Sequence, residues 1–304
     1  MRLDKIGEFG LIDMIKKNTK VDRSVFKGIG DDCAVVSFDA KNFLLLTQDM
    51  LVEGVDFKSK ENPYLIGRKA LAVSLSDIAA CAGIPRYAMV SLGVPADKCR
   101  HFFKDLHRGI NDLAKEYKVN IVGGDLSVSK KIVLDVSVVG VIEKKSLALR
   151  SGARNGDMIF ITGCLGGSIS GKHLRFIPRI KEARYLAKNF KIHSMIDISD
   201  GFLQDLGHML KESNVGAVVY GERIPQGRFS RNLTSALSDG EDFELLFALS
   251  PEAGKKLLLE RDAIYSWVGM ITKKEMGLKV LDQYGAPLKI LRQGYTHFNA
   301  HIKP

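Results

Sequence analysis

Cysteine is scarce and poorly placed for any framework. The 304 residues hold four, Cys33, Cys81, Cys99 and Cys164, with no Cys-x-x-Cys pair and no histidine at metal-ligand spacing. That pattern excludes a disulfide scaffold and a zinc module and points to a reducing compartment. Long apolar runs are also missing. No stretch approaches the roughly 18 uninterrupted apolar residues of a membrane span, and the opening MRLDKIGEFG lacks the basic-then-apolar order of a signal peptide. The expected location is the cytoplasm, with no membrane partner. Internal repeats and low-complexity tracts are absent. What is present is ordinary for a folded chain, 45% hydrophobic and 26% charged, and a length of about 150 residues per domain predicts two domains. A formal net charge of +10 favours an anionic partner: nucleic acid, a membrane surface or a phosphorylated metabolite.

The first half alternates strand-like and helix-like stretches. Phe43–Thr47 reads as a buried strand ending in polar residues, Ala70–Ala82 as a helix, Met89–Gly93 as a strand, and His101–Tyr117 as a helix with Phe102, Leu106, Ile110 and Leu113 on one face. Asn120–Val122 and the β-branched run Ile132–Ile142 read as further strands. The turn-rich segment Glu143–Asp157 interrupts the apolar pattern, so the expected domains are residues 1–143 and 144–304. The second contains the strand Met158–Thr162, a basic helical stretch over Pro178–Lys191, the helix Phe202–Ser213, and the strands Ala217–Tyr220 and Phe243–Leu249. The polar segment Pro225–Ser238 reads as a surface loop.

One glycine-rich motif invites a nucleotide-binding reading and fails at its last position. Gly166 to His173 fits G-x-x-x-x-G-K, but a P-loop follows the lysine with Ser or Thr, whose hydroxyl ligates Mg²⁺, and here His173 stands there. A plain glycine-rich turn is the better reading. More informative are the aspartates at the ends of apolar runs, each beside glycine or a small residue: Asp31, Asp32, Asp49, Asp77, Asp125, Asp197 and Asp200. Singly, each suits a turn or a helix cap. Folded together they would repel one another unless cations sat among them, and hard oxygen ligands of this kind suit Mg²⁺. Magnesium ions held in this way could neutralise a nucleotide triphosphate without a P-loop. Arg150 offers a fixed cation, and the glycines near Asp32 and Asp125 allow close approach of the backbone to phosphate.

These motifs, in this order, resemble the thiamine-monophosphate kinase family. The matching segments are Gly7-Glu-Phe, Gly28-Ile-Gly-Asp-Asp-Cys-Ala, Asp49-Met-Leu-Val-Glu-Gly-Val, the run from Lys69 to Ala80, Gly123-Gly-Asp, Arg150-Ser-Gly-Ala, Asp197-Ile-Ser-Asp-Gly, Gly240-Glu-Asp-Phe-Glu-Leu and Gly294-Tyr-Thr-His-Phe. The resemblance implies an α/β, two-domain aminoimidazole ribonucleotide synthetase-like fold, with an N-terminal mixed sheet and helices forming the dimer and ATP site and a C-terminal α/β domain. It implies a homodimer that transfers the γ-phosphoryl group of ATP directly to thiamine monophosphate, with Mg²⁺ as cofactor and no nucleic-acid partner.

Carried over by position, the resemblance places Mg²⁺ on Asp32, Thr47, Gln48 (through its backbone carbonyl), Asp49, Asp77, Asp125, Asp197 and Asp200. Asp49, Asp125 and Asp200 would be catalytic. Gly124, Asp125, Arg150 and Ser199 would contact ATP, and Asp56, Glu241 and Arg292 fall at acceptor positions. Several residues depart from the family pattern: Gln48 replaces Thr, Ser74 replaces Asn, Asp56 replaces His, and Arg292 replaces an aromatic ring. The second domain is also shorter than expected. The alternatives are a relative with a different acceptor, a non-catalytic thiamine-phosphate binder, and a basic nucleic-acid binder. No nucleic-acid module is recognised, although basic residues gather over Arg175–Lys191. His101, His107, His173 and His208 read as surface or satisfied core groups, Trp267 as core, and Cys33 as a small buried residue.

Overall fold

The structure, a computed structural model, describes residues 2–260, 264–290 and 294–297; Arg292 lies outside them. The chain runs α1 (Leu3–Ile6), α2 (Glu8–Asn18), β1 (Val25–Lys27), β2 (Ala34–Ser37), β3 (Asn42–Val52), α3 (Pro63–Ala80), β4 (Ile84–Val94), α4 (Arg100–Tyr117), β5 (Asn120–Val128) and β6 (Val133–Glu143). It continues through β7 (Met158–Thr162), α5 (Ile180–Asn189), β8 (Ile192–Asp197), α6 (Phe202–Ser213), β9 (Gly216–Tyr220), α7 (Leu233–Ser238), β10 (Leu245–Leu249), α8 (Pro251–Leu259), β11 (Tyr265–Thr272) and β12 (Leu278–Leu281). One six-stranded sheet has the order β1-β2-β3-β6-β4-β5 and the other β12-β9-β11-β7-β10-β8. Each is mixed, with a single parallel pair at one edge, β4 with β5 and β9 with β12.

The expected loop over Pro225–Ser238 needs correcting, because its last six residues form α7. Asn232 caps that helix by accepting from the Ser235 N–H at 2.9 Å, a local signal that the polar composition of the segment obscures. Helix α3 likewise begins seven residues before the apolar run suggests. Asn62 accepts from the Tyr64 N–H at 2.9 Å and Pro63 takes the first turn, where its missing N–H is no loss.

Helix α3 is the keystone. It is buried on nearly every face, from Ile66 to Ala80, because it packs against the first sheet, α4, α5 and β8. Such enclosure requires small or apolar residues all round, and the polar ones it does carry, Lys69, Ser74, Ser76 and Asp77, must find partners inside. α3 meets α4 backbone to backbone. A Cβ on Gly109 would sit 1.9 Å from the Tyr64 carbonyl oxygen, and one on Gly67 would sit 2.0 Å from that of Leu106. Gly109→Ala is therefore expected to destabilise the protein by about 2 kcal/mol or more and to lower Tm by several degrees. Gly207→Ala, on a stretch of α6 with nothing within 4 Å, should raise stability by up to ~1 kcal/mol through helix propensity. Thermal melts of the two variants check the pair; equal shifts would contradict this packing.

The first sheet is sided. β6 alternates buried and partly exposed residues along its whole length. Register places Thr47, Asp49 and Leu51 of β3 in rows with Val138, Val136 and Leu134 on the face covered by α3. Leu46 and Met50 of β3 and Tyr87 and Met89 of β4 stand on the opposite face, where they are exposed.

Candidate active site

α3 delivers polar side chains to two neighbouring strands, Ser74 and Asp77 to β3 and Ser76 to β8. Ser74 Oγ donates to Asp49 Oδ2 at 2.8 Å, and Ser76 Oγ donates to Asp197 Oδ2 at 2.6 Å at the end of β8. Asp77 accepts a short hydrogen bond from the Thr47 hydroxyl. The helix thus gathers carboxylates from β3, from the turn before β2 and from β8. Carboxylate oxygens of Asp32, Asp77 and Asp197 all lie within 4.8 Å of one another, and the Asp49 side chain is hydrogen-bonded to Asp77 beside them. Arg150, between the sheets, closes one side: its Nε and one terminal nitrogen donate to Asp32 Oδ1 at 3.1 and 2.6 Å, and its backbone N–H faces Asp31 at 3.2 Å.

Burial dominates the electrostatics. It raises the Asp49 carboxyl to about 6, with Asp135 and Asp32 adding to the shift and the Ser74 hydrogen bond opposing it. Burial also raises Asp197 to about 7, aided by Asp32. Asp77 stands well above the usual carboxylate range through burial and then through Asp49, Asp197 and Asp32. Asp31 rises to about 6 from burial and the neighbouring Asp32. One oxygen, Asp32 Oδ2, is buried without a hydrogen-bond partner. Hard oxygen donors at this spacing, with an orphaned buried oxygen and carboxyls raised by burial and by one another, fit a small divalent cation.

A pH signature follows. Carboxyls whose folded pKa lies above the unfolded value contribute stability that is present below the unfolded pKa and is lost as pH rises through the folded one, here between about pH 4 and pH 7. Without metal, the protein is expected to melt lower at about pH 8 than at about pH 5. Mg²⁺ should raise Tm by roughly 5 °C or more at the higher pH and by much less at the lower one. Scanning fluorimetry over this range, with and without Mg²⁺, reads the effect directly; an Mg²⁺ shift independent of pH would contradict it.

Asp200, Asp205 and His208 form a second grouping, within 4.8 Å, at the start of α6. Asp205 accepts from the backbone N–H groups of Asp200 and Gly201 at 3.1 Å each and so ties the turn before the helix to its first turns. The Asp200 carboxyl is raised to about 6 by burial and then Glu8, and it accepts from Gln204 at 3.0 Å. His208 is partly buried, packs against Phe9 with ring centroids 4.7 Å apart and planes tilted by 51°, and is lowered to about 4 by burial.

Other expected site residues fall elsewhere. Gln48 is exposed and donates from its side chain to Asp135 at 2.8 Å, which leaves only its backbone for the metal side. Asp56 turns its carboxylate back onto the Val52 N–H at 2.7 Å. Ser199 and Glu241 are joined by a backbone hydrogen bond of 2.6 Å from the Glu241 N–H. Gly124 is required by close packing, since a Cβ there would lie 1.8 Å from the Val90 oxygen. Asp125 is the outlier. It pairs across β4 and β6 with Ser91, Asp135 and Met50, which places it exposed on the open face of the sheet. Asp49 faces α3, three strand spacings or roughly 14 Å away. The Gly166–His173 segment forms glycine turns and two short 3₁₀ turns, with His173 buried. Sequence reasoning missed Lys69, Ser76 and Asp205; for Lys69 a signal existed, a lysine inside an Ala/Leu run, where it must be paired if buried.

Comparison with known proteins places these residues in context. Residues 30–142 match the family described as AIR synthase related protein, N-terminal domain, and residues 133–274 match its C-terminal domain. The thiamine-monophosphate kinase of Rhodopirellula baltica is 38% identical over 263 residues, spanning 81% of this chain and 83% of that protein. The Bacillus subtilis thiamine-monophosphate kinase is 34% identical over 327 residues, spanning 96% of this chain and all of the relative (100%). Among solved structures, AaThiL complexed with AMPPCP and TMP superposes with a TM-score of 0.85 at 32% identity, covering 98% of this chain and 99% of that one.

Proposed function

The chain belongs to the thiamine-monophosphate kinase family, and we propose that it transfers the γ-phosphoryl group of ATP to the phosphate of thiamine monophosphate, giving thiamine diphosphate and ADP. The observation that carries this reading is the buried cluster of Asp32, Asp77 and Asp197, with Asp49 held against it by Ser74. Here the attacking group is itself a phosphate, so two polyanions must meet, and electrostatic repulsion is the main obstacle to in-line transfer. Magnesium held by Asp32, Asp49, Asp77, Asp197 and Asp200 would supply the positive charge that brings them together. Arg150, kept protonated by Asp32 and Asp31 despite its burial, adds a cation that cannot be lost at physiological pH. Glu241 and the Asp56 turn stand on the acceptor side.

Direct transfer fits the side chains present. Cys33, next to Asp32 in the chain, is fully enclosed, and burial pushes its pKa well up, so it is a packing group rather than a nucleophile. The acceptor phosphate attacks, the bridging oxygen of ATP leaves with ADP, and no covalent enzyme intermediate forms.

We read the working unit as a homodimer joined through the open face of the first sheet. An exposed apolar sheet face with Leu46, Met50, Tyr87 and Met89 calls for cover, and the position of Asp125 on that same face favours a second copy as the cover. On this reading Asp125 serves the site of the other subunit. The free cysteines, two of them exposed, and the use of ATP support a cytoplasmic location; among the described residues no helix is long and apolar enough to cross a membrane. The test is turnover with ATP, Mg²⁺ and a panel of phosphorylated acceptors. Thiamine monophosphate should be used at least tenfold better, by kcat/KM, than any other acceptor in the panel; equal or better use of another would overturn the substrate assignment.

A further inference from the structure

Lys69 is the costliest side chain in the core to explain. It is fully buried in α3, at 0% exposure, and a buried ammonium is tolerated only with partners for its charge and its protons. It has two, and they come from different halves of the molecule. Lys69 Nζ donates to the Asp56 backbone oxygen at 2.7 Å, in the turn after β3, and makes a short ion pair with Glu241 Oε1, in the loop before β10.

The loop holding Glu241 is otherwise locked. Asp242 accepts from the Gly166 N–H and the Ser168 hydroxyl. Glu244 accepts from Thr162 Oγ1 at 2.8 Å and Lys172 Nζ at 2.9 Å, and takes a two-pronged contact from Arg179 at 2.6 and 2.9 Å. Glu241 and Phe243 are held at φ of +65° and +51°, a left-handed backbone that persists in non-glycine residues only where the surroundings impose it. With Asp242 and Glu244 turned inward, the Glu241 carboxylate alone is left partly open, with 24% of its side chain exposed. The backbone shows which space it opens onto: the Glu241 N–H donates to the Ser199 oxygen at 2.6 Å, between Asp197 and Asp200, and the Tyr295 N–H donates to the Asp200 oxygen at 2.9 Å.

We propose that Lys69 is a positioning residue for the acceptor: by holding the Asp56 turn and one oxygen of Glu241, it fixes the orientation in which Glu241 meets the cationic, phosphorylated acceptor. The inference rests on the function proposed above. A pair that served stability alone would be closed on both sides, whereas this one is closed at the lysine and open at the carboxylate. Lys69 does not touch the acceptor; it acts through Glu241.

The experiment compares wild type, Lys69→Met, Glu241→Gln and the double variant in steady-state assays with ATP, Mg²⁺ and thiamine monophosphate, alongside thermal melts. Lys69→Met is expected to raise the acceptor KM about tenfold, the scale of one charge-assisted hydrogen bond, while the ATP KM stays within about twofold. The double variant leaves no unpaired buried charge, so it should fold even if the single variant does not, and its acceptor KM should equal that of Glu241→Gln. Overturning results are an unchanged acceptor KM in Lys69→Met, equal shifts in both KM values, or a double variant about tenfold worse than Glu241→Gln. Absence of turnover by the wild type would instead refute the functional reading, and this proposal with it.

Discussion

Asp77→Asn and Asp49→Asn are each expected to lower kcat by about 10³-fold while leaving Tm within a few degrees of wild type. The amide is isosteric with the carboxylate, and its oxygen can still accept from Thr47 or Ser74, so packing survives. What is lost is a negative, hard ligand in a buried set whose members already raise one another's pKa. Removing charge there weakens the grip on the divalent cation and with it the stabilisation of the transferring phosphoryl group. Excess Mg²⁺ should recover part of the loss, because weakened binding can be offset by mass action. Steady-state rates against Mg²⁺ concentration give the answer, and a wild-type-like kcat in either variant would contradict the metal assignment.

The second large effect comes from mixing two inactive proteins. If Asp125 serves the neighbouring subunit, Asp49→Asn and Asp125→Asn each abolish both sites of their own homodimer. A heterodimer of the two regains one intact site, built from the Asp49 of one chain and the Asp125 of the other. After subunit exchange, an equimolar mixture is expected to recover about a quarter of wild-type activity, since about half the dimers are mixed and each has one working site of two. A site contained within one protomer predicts no recovery. The expectation follows from strand register alone: Asp125 and Asp49 occupy opposite faces of one sheet with two strands between them.

Much of the fold could be read from local pattern. The limits of β7 and α6 follow directly from a five-residue apolar run and from a Ser-Asp-Gly turn before an amphipathic helix. No local pattern marks β8 as a strand, although its last residue, Asp197, belongs to the aspartate series. Ile192–Asp197 is an edge strand whose polar members are satisfied by distant partners, Ser194 by the Arg150 oxygen and Asp197 by Ser76, and no local rule anticipates such partners. The aspartate series was legible as a set because each member sits at the end of an element. Which of them meet was not legible, because that depends on strand order, and the order β3-β6-β4-β5 departs from chain order. Asp125 therefore reads like its fellows in the sequence and stands apart in the fold. Lys69 shows the converse: its burial was hinted at by the apolar run around it, but its partner lies 172 residues away.

The +10 charge takes on a narrower meaning in this light. The proposed site is itself acidic, so contact with phosphate would run mainly through metal, and the surplus Lys and Arg lie elsewhere, where they can steer anions toward the cleft.

Direct phosphoryl transfer to thiamine monophosphate is the central claim, and a single-turnover experiment with ATP labelled at the γ-phosphate tests it most directly. With enzyme in excess over ATP and with Mg²⁺ and thiamine monophosphate present, rapid quenching should show the label passing from ATP into the terminal phosphate of thiamine diphosphate, in step with ADP formation and without labelled protein at any time. Label that accumulates on the protein, or that ends in inorganic phosphate with no thiamine diphosphate formed, would contradict the account.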